Sequence, residues 1–250
     1  MKPLLVNIRK KTYPNGCCAI ENLSFGVQPG EFVALVGPSG SGKTTLFNLI
    51  AGLDLQMEGQ VSFDTEGLPG ERPRIGFMFQ EPRLMPWLTV QQNLELVLPA
   101  ATRARQTVPL QQWLERVGLP DCAQLFPGQL SGGMQRRVAL LRAFIVKPDV
   151  LLMDEPFQSL DAPTAQQLRT LLHDLCERTQ PTVLFVTHSL REALSLADRV
   201  LFLSAGPSTV ILDYPVVLKK PRAIEDAAVQ AMHDALLAQY PRILSGVLYS

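Results

Sequence analysis

The sequence has little of what marks a membrane-spanning, secreted or nucleic-acid-binding chain. Apolar residues make up 46% of its 250 residues, but no uninterrupted apolar run approaches the roughly 18 residues that span a bilayer. Basic and acidic residues number 23 each, so no net charge draws the chain to nucleic acid or to an anionic membrane. Its first ten residues lack the apolar segment and cleavage site of an export signal. We therefore expect a soluble chain that has no nucleic-acid partner and reaches a membrane only through another protein.

Cysteine is also scarce. The four cysteines are Cys17, Cys18, Cys122 and Cys176, and their positions follow no metal-ligand spacing. The adjacent pair Cys17 and Cys18 is poorly placed to form a disulfide with itself. We therefore expect free thiols in a reducing cytosol.

What the sequence does contain is a glycine-rich loop between a strand and a helix. Residues 31–36 form an apolar, β-branched run, residues 37–45 read GPSGSGKTT, and residues 46–52 have the pattern of a helix. Glycines let backbone N–H groups wrap an anion, and the helix N-terminus adds further donors. Lys43 then reaches the β and γ phosphates, and the Thr44 hydroxyl ligates Mg²⁺. The alternative, a glycine-rich turn that happens to end in Lys-Thr, is disfavoured by the strand and the helix on either side.

Two adjacent acids follow another buried strand. The apolar residues 150–153 run into Asp154 and Glu155, a costly place for charge unless the carboxylates meet a cation or a reacting water. Consecutive strand residues point to opposite sides. We therefore expect Asp154 to hold Mg²⁺ and Glu155 to face the γ-phosphate and polarise water. The alternative is an acidic N-cap pair for the next helix.

Three further polar or aromatic side chains stand at strand ends. Gln80 follows the strand predicted at 74–79 and is placed to contact Mg²⁺ or the attacking water, although a lone glutamine indicates nothing by itself. His188 ends the strand at 181–187, where it either donates a hydrogen bond to a γ-phosphate oxygen or caps a helix. Tyr13 precedes a Pro-Asn-Gly turn and is either a flat surface for adenine or an ordinary strand-end tyrosine.

A second anion-binding helix start is predicted at Ser131. Ser131 stands at an N-cap position, and Gly132 and Gly133 leave backbone N–H groups uncovered before an amphipathic helix. A simple cap needs only the serine, so the two glycines require a further reason. At least one of Arg136 and Arg137 is expected to be a solvated surface charge.

The remaining pattern divides the chain. Short strands and turns fill residues 4–36, strands are predicted at 59–64 and 74–79, and helical periodicity replaces them from about residue 83 to residue 146. Residues 84–90 are strongly apolar and form either the core of a helical subdomain or a groove for a helix of another protein. The tail carries an amphipathic helix with one apolar face: Ile224, Ala228, Ala231, Met232, Ala235 and Leu236.

Over nearly the whole chain, these motifs resemble in order those of the nucleotide-binding subunit of an ATP-binding-cassette (ABC) transporter. A Walker A loop alone would also suit kinases and GTPases, but the signature and the switch histidine are typical of ABC proteins. The similar segments are Tyr13 (adenine-stacking aromatic), Gly37 to Thr45 (Walker A), Gln80 (Q-loop), Leu130 to Gln135 (signature), Met153 to Pro156 (Walker B), Ser159 to Asp161 (D-loop) and His188 (switch histidine).

The resemblance implies an α/β fold. It implies a P-loop NTPase core with a mostly parallel sheet, an N-terminal antiparallel β subdomain and an inserted α-helical subdomain. The whole chain, residues 1–250, would be one nucleotide-binding domain. Its core with the β subdomain would comprise 1–84 and 146–216, its helical signature subdomain 85–145, and its C-terminal tail 217–250.

The resemblance also implies an ATPase that uses ATP and Mg²⁺. The catalytic residues would be Glu155, His188, Gln80 and Lys43, and the metal ligands Thr44, Gln80 and Asp154. The nucleotide would contact Tyr13, Gly37, Pro38, Ser39, Gly40, Ser41, Gly42, Lys43, Thr44, Thr45, Ser131, Gly132, Gly133, Gln135 and Asp161.

As to function, the resemblance implies two copies of the chain arranged head to tail around ATP. They would bind membrane-embedded permease subunits on the cytoplasmic side of the inner membrane and serve a solute-binding protein indirectly. Residues 79–89 and 155–162 resemble importers of nitrate, sulfonates, taurine and thiamine precursors, although Gln158 replaces a small residue and Thr44 replaces a serine.

Two alternatives within the family remain. One is the ATPase of a lipid or efflux system. The other is a soluble ABC ATPase that acts on chromosomes or ribosomes, which is disfavoured because the chain has no sustained heptads and only one cassette.

Overall fold

The computed structural model describes residues 3–63, 73–100 and 109–248. The chain forms two compact units, the first made of residues 1–73 and 182–250 and the second of residues 74–181. Among the residues described, none of the helices combines the length and the apolar character that a membrane span requires.

An antiparallel sheet in the first unit confirms the predicted N-terminal β region. Strand β1 (Leu4–Thr12) lies between β2 (Cys18–Val27) and β4 (Glu58–Phe63). Leu4, Val6 and Ile8 are buried and alternate with exposed residues, as expected for a strand with one face on the core. Residue 64, the predicted end of β4, is outside the described residues.

The first unit also contains parallel strands around the glycine-rich loop. Strand β3 (Phe32–Val36) is paired in parallel with β7 (Thr182–Thr187) on one side and with β8 (Arg199–Leu203) on the other, and β9 (Val210–Pro215) runs antiparallel to β8. Every residue of β3 and β7 is buried, which is typical of parallel strands covered on both faces. The helices of this unit are α1 (Lys43–Ile50), α6 (Leu190–Leu196), which packs on β3 and β7, and α7 (Ala227–Gln239), which packs on α6; a 3₁₀ turn follows at Ile243–Ser245.

The second unit contains a pair of parallel strands, β5 (Ile75–Met78) and β6 (Val150–Asp154). The partner of β5 is thus β6, whereas β4 is paired with β1 in the first unit. Gly76 of β5 lies against the Ala143 carbonyl too closely for any side chain. The helical elements of this unit are α2 (Val90–Glu95), α3 (Leu110–Arg116), a 3₁₀ turn at Pro127–Gln129, α4 (Gly132–Phe144) and α5 (Ala162–Thr179). The first four of these come between β5 and β6 along the chain, as predicted for an inserted helical segment.

Candidate functional site

The glycine-rich loop has the backbone that the sequence predicts. Gly40 has a φ of 75° and Gly42, the N-cap residue of α1, has a φ of 87°. Both values lie in the left-handed region that favours glycine. A Cβ on Gly42 would also lie 2.8 Å from the Ala19 carbonyl oxygen. The loop therefore has to contain glycine at position 42 for two independent reasons.

The Lys43 side chain folds back into this loop. Its ammonium group donates to the carbonyl oxygens of Gly37 at 2.9 Å and Pro38 at 2.7 Å and to the Ser41 hydroxyl at 3.3 Å. Only 8% of Lys43 is exposed. The loop thus holds a positive charge beside backbone N–H groups and a helix N-terminus, a combination suited to a polyphosphate.

Tyr13 is hydrogen-bonded to α1, the helix that follows the loop. Its hydroxyl lies 2.9 Å from the Thr45 hydroxyl, and Tyr13 itself is half-buried. Thr44, the neighbour of Thr45, is exposed. Tyr13 therefore belongs to the surroundings of the phosphate loop.

His188 follows β7 and is exposed. The helix after it is capped by another residue, because the Ser189 hydroxyl accepts a hydrogen bond from the Glu192 amide at 3.3 Å. The Thr187 hydroxyl donates to the Glu192 carboxylate at 2.7 Å and accepts from the Ser189 amide at 3.0 Å. The helix-capping alternative for His188 is therefore wrong.

In the second unit, Asp154 and Glu155 differ in backbone conformation. Asp154 is the last residue of β6 and is 9% exposed. Glu155 has a φ of 44°, which places it outside the strand, so the predicted strand alternation between the two acids does not hold. A non-glycine residue in this region costs about 1–2 kcal/mol, and such strain concentrates at functional sites.

The acids do not cap the next helix. The N-cap residue of α5 is Asp161, whose carboxylate accepts a hydrogen bond from the Thr164 amide at 3.2 Å. Hydrogen bonding to Thr164 holds the pKa of Asp161 below its usual value. The capping alternative for Asp154 and Glu155 is therefore wrong.

Gln80 is exposed and lies next to Gln158 and Arg136. The Gln80 side-chain amide donates to the Gln158 side-chain oxygen. The Arg136 guanidinium donates to the Gln80 carbonyl and, at 3.2 Å, to the Gln158 carbonyl. Arg136 is 9% exposed, and burial lowers its pKa. Arg136 is therefore not a solvated surface charge, and its contact with Gln80 could not be inferred from the residues around it.

A second arginine of α4 holds the same segment. The Arg142 guanidinium donates to the carbonyl oxygens of Pro82 and Arg83, both at 2.8 Å. Residues 80–83, which we call the Gln80 segment, are thus bound to α4 through Arg136 and Arg142. Hydrogen bonds from a charged donor are stronger than neutral ones, so this contact fixes the segment against the helix.

The start of α4 is accessible. The Ser131 hydroxyl accepts a hydrogen bond from the Met134 amide at 3.3 Å, and both Ser131 and Gly132 are exposed. A Cβ on Gly133 would lie 2.8 Å from the Thr164 methyl group, whereas a Cβ on Gly132 would meet nothing within 4 Å. Gly133 is therefore explained by packing, while Gly132 leaves the helix start open.

Gln135, near the start of α4, is hydrogen-bonded to residues that precede the helix. Its side-chain amide donates to the carbonyl oxygens of Pro127 at 3.0 Å and Leu130 at 3.3 Å. These bonds tie α4 to the preceding 3₁₀ turn, so Gln135 stabilises the shape of the helix start.

The apolar residues 84–90 are divided between core and surface. Buried Asn93 organises them, because it accepts a hydrogen bond from the Met85 amide at 2.7 Å and donates to the Leu88 carbonyl at 3.0 Å. Val90 is fully buried, but Trp87 is 70% exposed. Val90 therefore belongs to the core of the helical segment, as one alternative predicts, whereas the exposed Trp87 does not.

The residue types fit the predicted ligands. The phosphate loop offers a buried ammonium and glycine backbone to a triphosphate. The hydroxyl of Thr44, the amide oxygen of Gln80 and the carboxylate of Asp154 are oxygen ligands, the kind that Mg²⁺ prefers.

Comparisons with known proteins agree with these features. The profile described as ABC transporter matches residues 20–158. An aliphatic sulfonates import ATP-binding protein SsuB 2 of Burkholderia cenocepacia is 39% identical over 96% of this chain and 88% of its own length. An SsuB 1 of Pseudomonas savastanoi pv. phaseolicola is 43% identical over 90% of this chain and 92% of its own length.

Two solved structures share the fold. The ATP-binding cassette MJ0796, in a dimeric post-hydrolysis state bound to ADP and Pi, is 34% identical and has a TM-score of 0.71 over 87% of this chain and 100% of its own. CbiO1 of Clostridium perfringens, part of the ABC transporter complex cbiONQ, is 25% identical and has a TM-score of 0.73 over 96% of both chains. The predicted P-loop α/β fold is therefore confirmed.

Proposed function

Because the chain belongs to the ABC transporter family and is an ABC ATPase, we propose that it powers the import of a small solute across the bacterial inner membrane. The observation that carries the proposal is the phosphate loop, in which Lys43 donates to the loop's own carbonyls. The importer assignment is supported by relatives named for sulfonate import. We propose a solute of the nitrate, sulfonate and taurine group, whose selection would depend on other subunits.

Within one chain, we propose that the loop N–H groups and Lys43 bind the β and γ phosphates while adenine stacks on Tyr13. Thr44, Gln80 and Asp154 would hold Mg²⁺, which neutralises phosphate charge when bound. Glu155 would orient the attacking water and accept its proton, and His188 would donate a hydrogen bond to a γ-phosphate oxygen.

We further propose that two chains enclose ATP head to tail. Ser131 and Gly133 of one chain, within the proposed helical subdomain 85–145, would contact the γ-phosphate of ATP bound by Lys43 of the other. The exposure of Ser131 and Gly132 supports this role, as does the dimeric form of MJ0796 bound to ADP and Pi. Binding of ATP would close the dimer, and hydrolysis would release it.

The proposed membrane partner is a pair of permease subunits, and a solute-binding protein would act through them. Trp87 projects from the segment that Asn93 organises, and an exposed aromatic side chain next to the Gln80 segment suits a helix of a partner protein. The chain would then lie on the cytoplasmic face of the inner membrane without entering it.

The test is Glu155→Gln, with Glu177→Gln as the matched control because Glu177 is an exposed glutamate on α5. The Glu155 variant should bind ATP but hydrolyse it about 10²- to 10⁴-fold more slowly, and ATP should then produce dimers in size-exclusion chromatography. The control should behave as the wild type. Wild-type hydrolysis in Glu155→Gln would contradict the assigned role.

Affinity purification separates import from the other functions of the family. Copurification with a polytopic membrane protein and a solute-binding protein supports an importer. Copurification with a membrane protein that has no solute-binding protein favours a lipid or efflux system, and copurification with ribosomes or DNA favours a soluble ABC ATPase.

A further inference from the structure

A lysine near Tyr13 is almost completely buried. Lys11 is 2% exposed, whereas its neighbour Lys10 is exposed. The buried alternation of Leu4, Val6 and Ile8 would continue at residue 10, but the pairing of β1 with β4 shifts register between Ile8 and Lys10. The irregularity turns Lys11 inward instead. Bulges of this kind re-aim side chains beside functional sites.

The Lys11 ammonium contacts two groups. Its nitrogen lies 2.7 Å from a carboxylate oxygen of Asp54 and 4.9 Å from the centroid of the Tyr13 ring. The other Asp54 oxygen accepts a hydrogen bond from the Gln56 amide at 2.9 Å. The hydrogen bond from Lys11 is the largest cause of the lowered pKa of Asp54. Both oxygens of Asp54 are thus engaged, which fixes the position of the carboxylate that holds Lys11.

Contacts hold the backbone, the hydroxyl and the ring of Tyr13. Its amide donates to the Cys17 carbonyl and its carbonyl accepts from the Gly16 amide, both at 2.9 Å. Its hydroxyl contacts Thr45 at 2.9 Å, and Lys11 covers one face of its ring. A stacked base requires one ring face at a fixed angle, and these contacts provide one.

We propose that Lys11 is a positioning residue for the nucleotide base. Its ammonium, held by Asp54, covers one face of the Tyr13 ring and directs a purine to the opposite face. This inference rests on the proposed function, because it needs Tyr13 to bind adenine. Stability alone explains the arrangement less well, because removing the Lys11 ammonium from water costs free energy that a partly exposed Asp54 carboxylate has to offset.

The test compares two probes on the full chain. ATP uses both the phosphate loop and the base surface, whereas inorganic tripolyphosphate uses the loop alone. Lys11→Met, which removes the charge at similar length, should raise the dissociation constant of ATP about 3- to 20-fold, the range of a partly desolvated cation–π contact. Binding of tripolyphosphate should not change. Lys10→Met is the matched control and should change neither constant.

A double-mutant cycle with Tyr13→Ala tests the mechanism. In the Tyr13→Ala background, Lys11→Met should have no further effect on ATP binding, because the ring that it positions is gone. An undiminished effect in that background would overturn the proposal, as would equal weakening of ATP and tripolyphosphate binding by Lys11→Met alone. If Lys11→Met does not fold, Lys11→Met with Asp54→Asn removes both charges and is subject to the same comparison.

The outcomes also separate this inference from the proposed function. If wild-type protein binds ATP no better than tripolyphosphate, the base has no binding surface, and the role proposed for Tyr13 fails together with this inference. If wild-type protein prefers ATP and Lys11→Met keeps the same preference, only the role of Lys11 is overturned.

Discussion

Alanine at Gly42 provides a quantitative test of the phosphate loop, with alanine at Gly40 as a matched control. Both glycines have a positive φ, so both alanines meet the same conformational cost. A Cβ on Gly40 meets nothing within 4 Å, but a Cβ on Gly42 lies 2.8 Å from the Ala19 carbonyl oxygen. That oxygen also accepts a hydrogen bond from the Ser208 amide at 2.9 Å, which keeps Ala19 from moving away.

The expected magnitudes follow from these two terms. An alanine held in the left-handed region destabilises the folded state by about 1–2 kcal/mol. Alanine also reduces the conformational entropy of the unfolded chain, which stabilises the protein by about 0.4–1 kcal/mol. Gly40→Ala should therefore lower the free energy of unfolding by about 1 kcal/mol. Overpacking against a fixed carbonyl adds about 1–3 kcal/mol. Gly42→Ala should therefore destabilise the protein by about 2–4 kcal/mol.

Thermal unfolding measures the difference between the two variants. For a chain of this length, 1 kcal/mol corresponds to a change in Tm of roughly 2–4 °C, so the variants should differ by several degrees. Gly42→Ala should also weaken ATP binding, because the loop has to shift at the helix start. Equal Tm values for the two variants would refute the argument from the Ala19 carbonyl.

Two further predictions concern contacts inside each unit. The hydrogen bond from Lys11 lowers the pKa of Asp54, so the stability that this pair contributes should be present above about pH 4 and lost as the pH falls through the lower folded pKa. In thermal scans, any Tm advantage of the wild type over Asp54→Asn should therefore shrink below about pH 4. A Tm advantage that does not change with pH would contradict this prediction. Arg136→Met should lower the free energy of unfolding by about 2–3 kcal/mol, because the carbonyls of Gln80 and Gln158 lose the guanidinium donor. Amide hydrogen exchange should accelerate in the Gln80 segment. Unchanged exchange in that segment would show that Arg136 does not hold the segment in place.

The sequence was most informative where local pattern decides the structure. A few neighbouring residues predict the strand before the phosphate loop, the glycine backbone of the loop and the cap at Ser131. Capping by Ser189 and Asp161 was harder to infer, since adjacent polar residues compete for the same position.

Long-range contacts were missed for a physical reason. Lys11 is buried where the pairing of β1 with β4 shifts register, and β4 is distant from Lys11 in the sequence. The prediction that at least one of Arg136 and Arg137 is a solvated surface charge could not single out Arg136 as buried, because its acceptors, the carbonyls of Gln80 and Gln158, belong to distant segments. Side-chain type alone does not disclose such backbone acceptors.

The tail helix α7 shows a different error. Leu236 of the predicted apolar face is buried, but Ala228, Ala231 and Ala235 of that face are exposed, and the second buried residue of α7, Val229, was not predicted. Alanine has little apolar area to bury, so the larger side chains decide which side of α7 packs. A weighting by side-chain size would have favoured the correct face.

The two arginines of α4 give this part of the protein mechanical stiffness. Hydrogen bonds from a charged group contribute about 1.5–3 kcal/mol each, several times the thermal energy, so thermal motion rarely breaks them together. Arg136 and Arg142 make three such bonds to Gln80, Pro82 and Arg83. We therefore expect a displacement of the Gln80 segment to be accompanied by a displacement of α4.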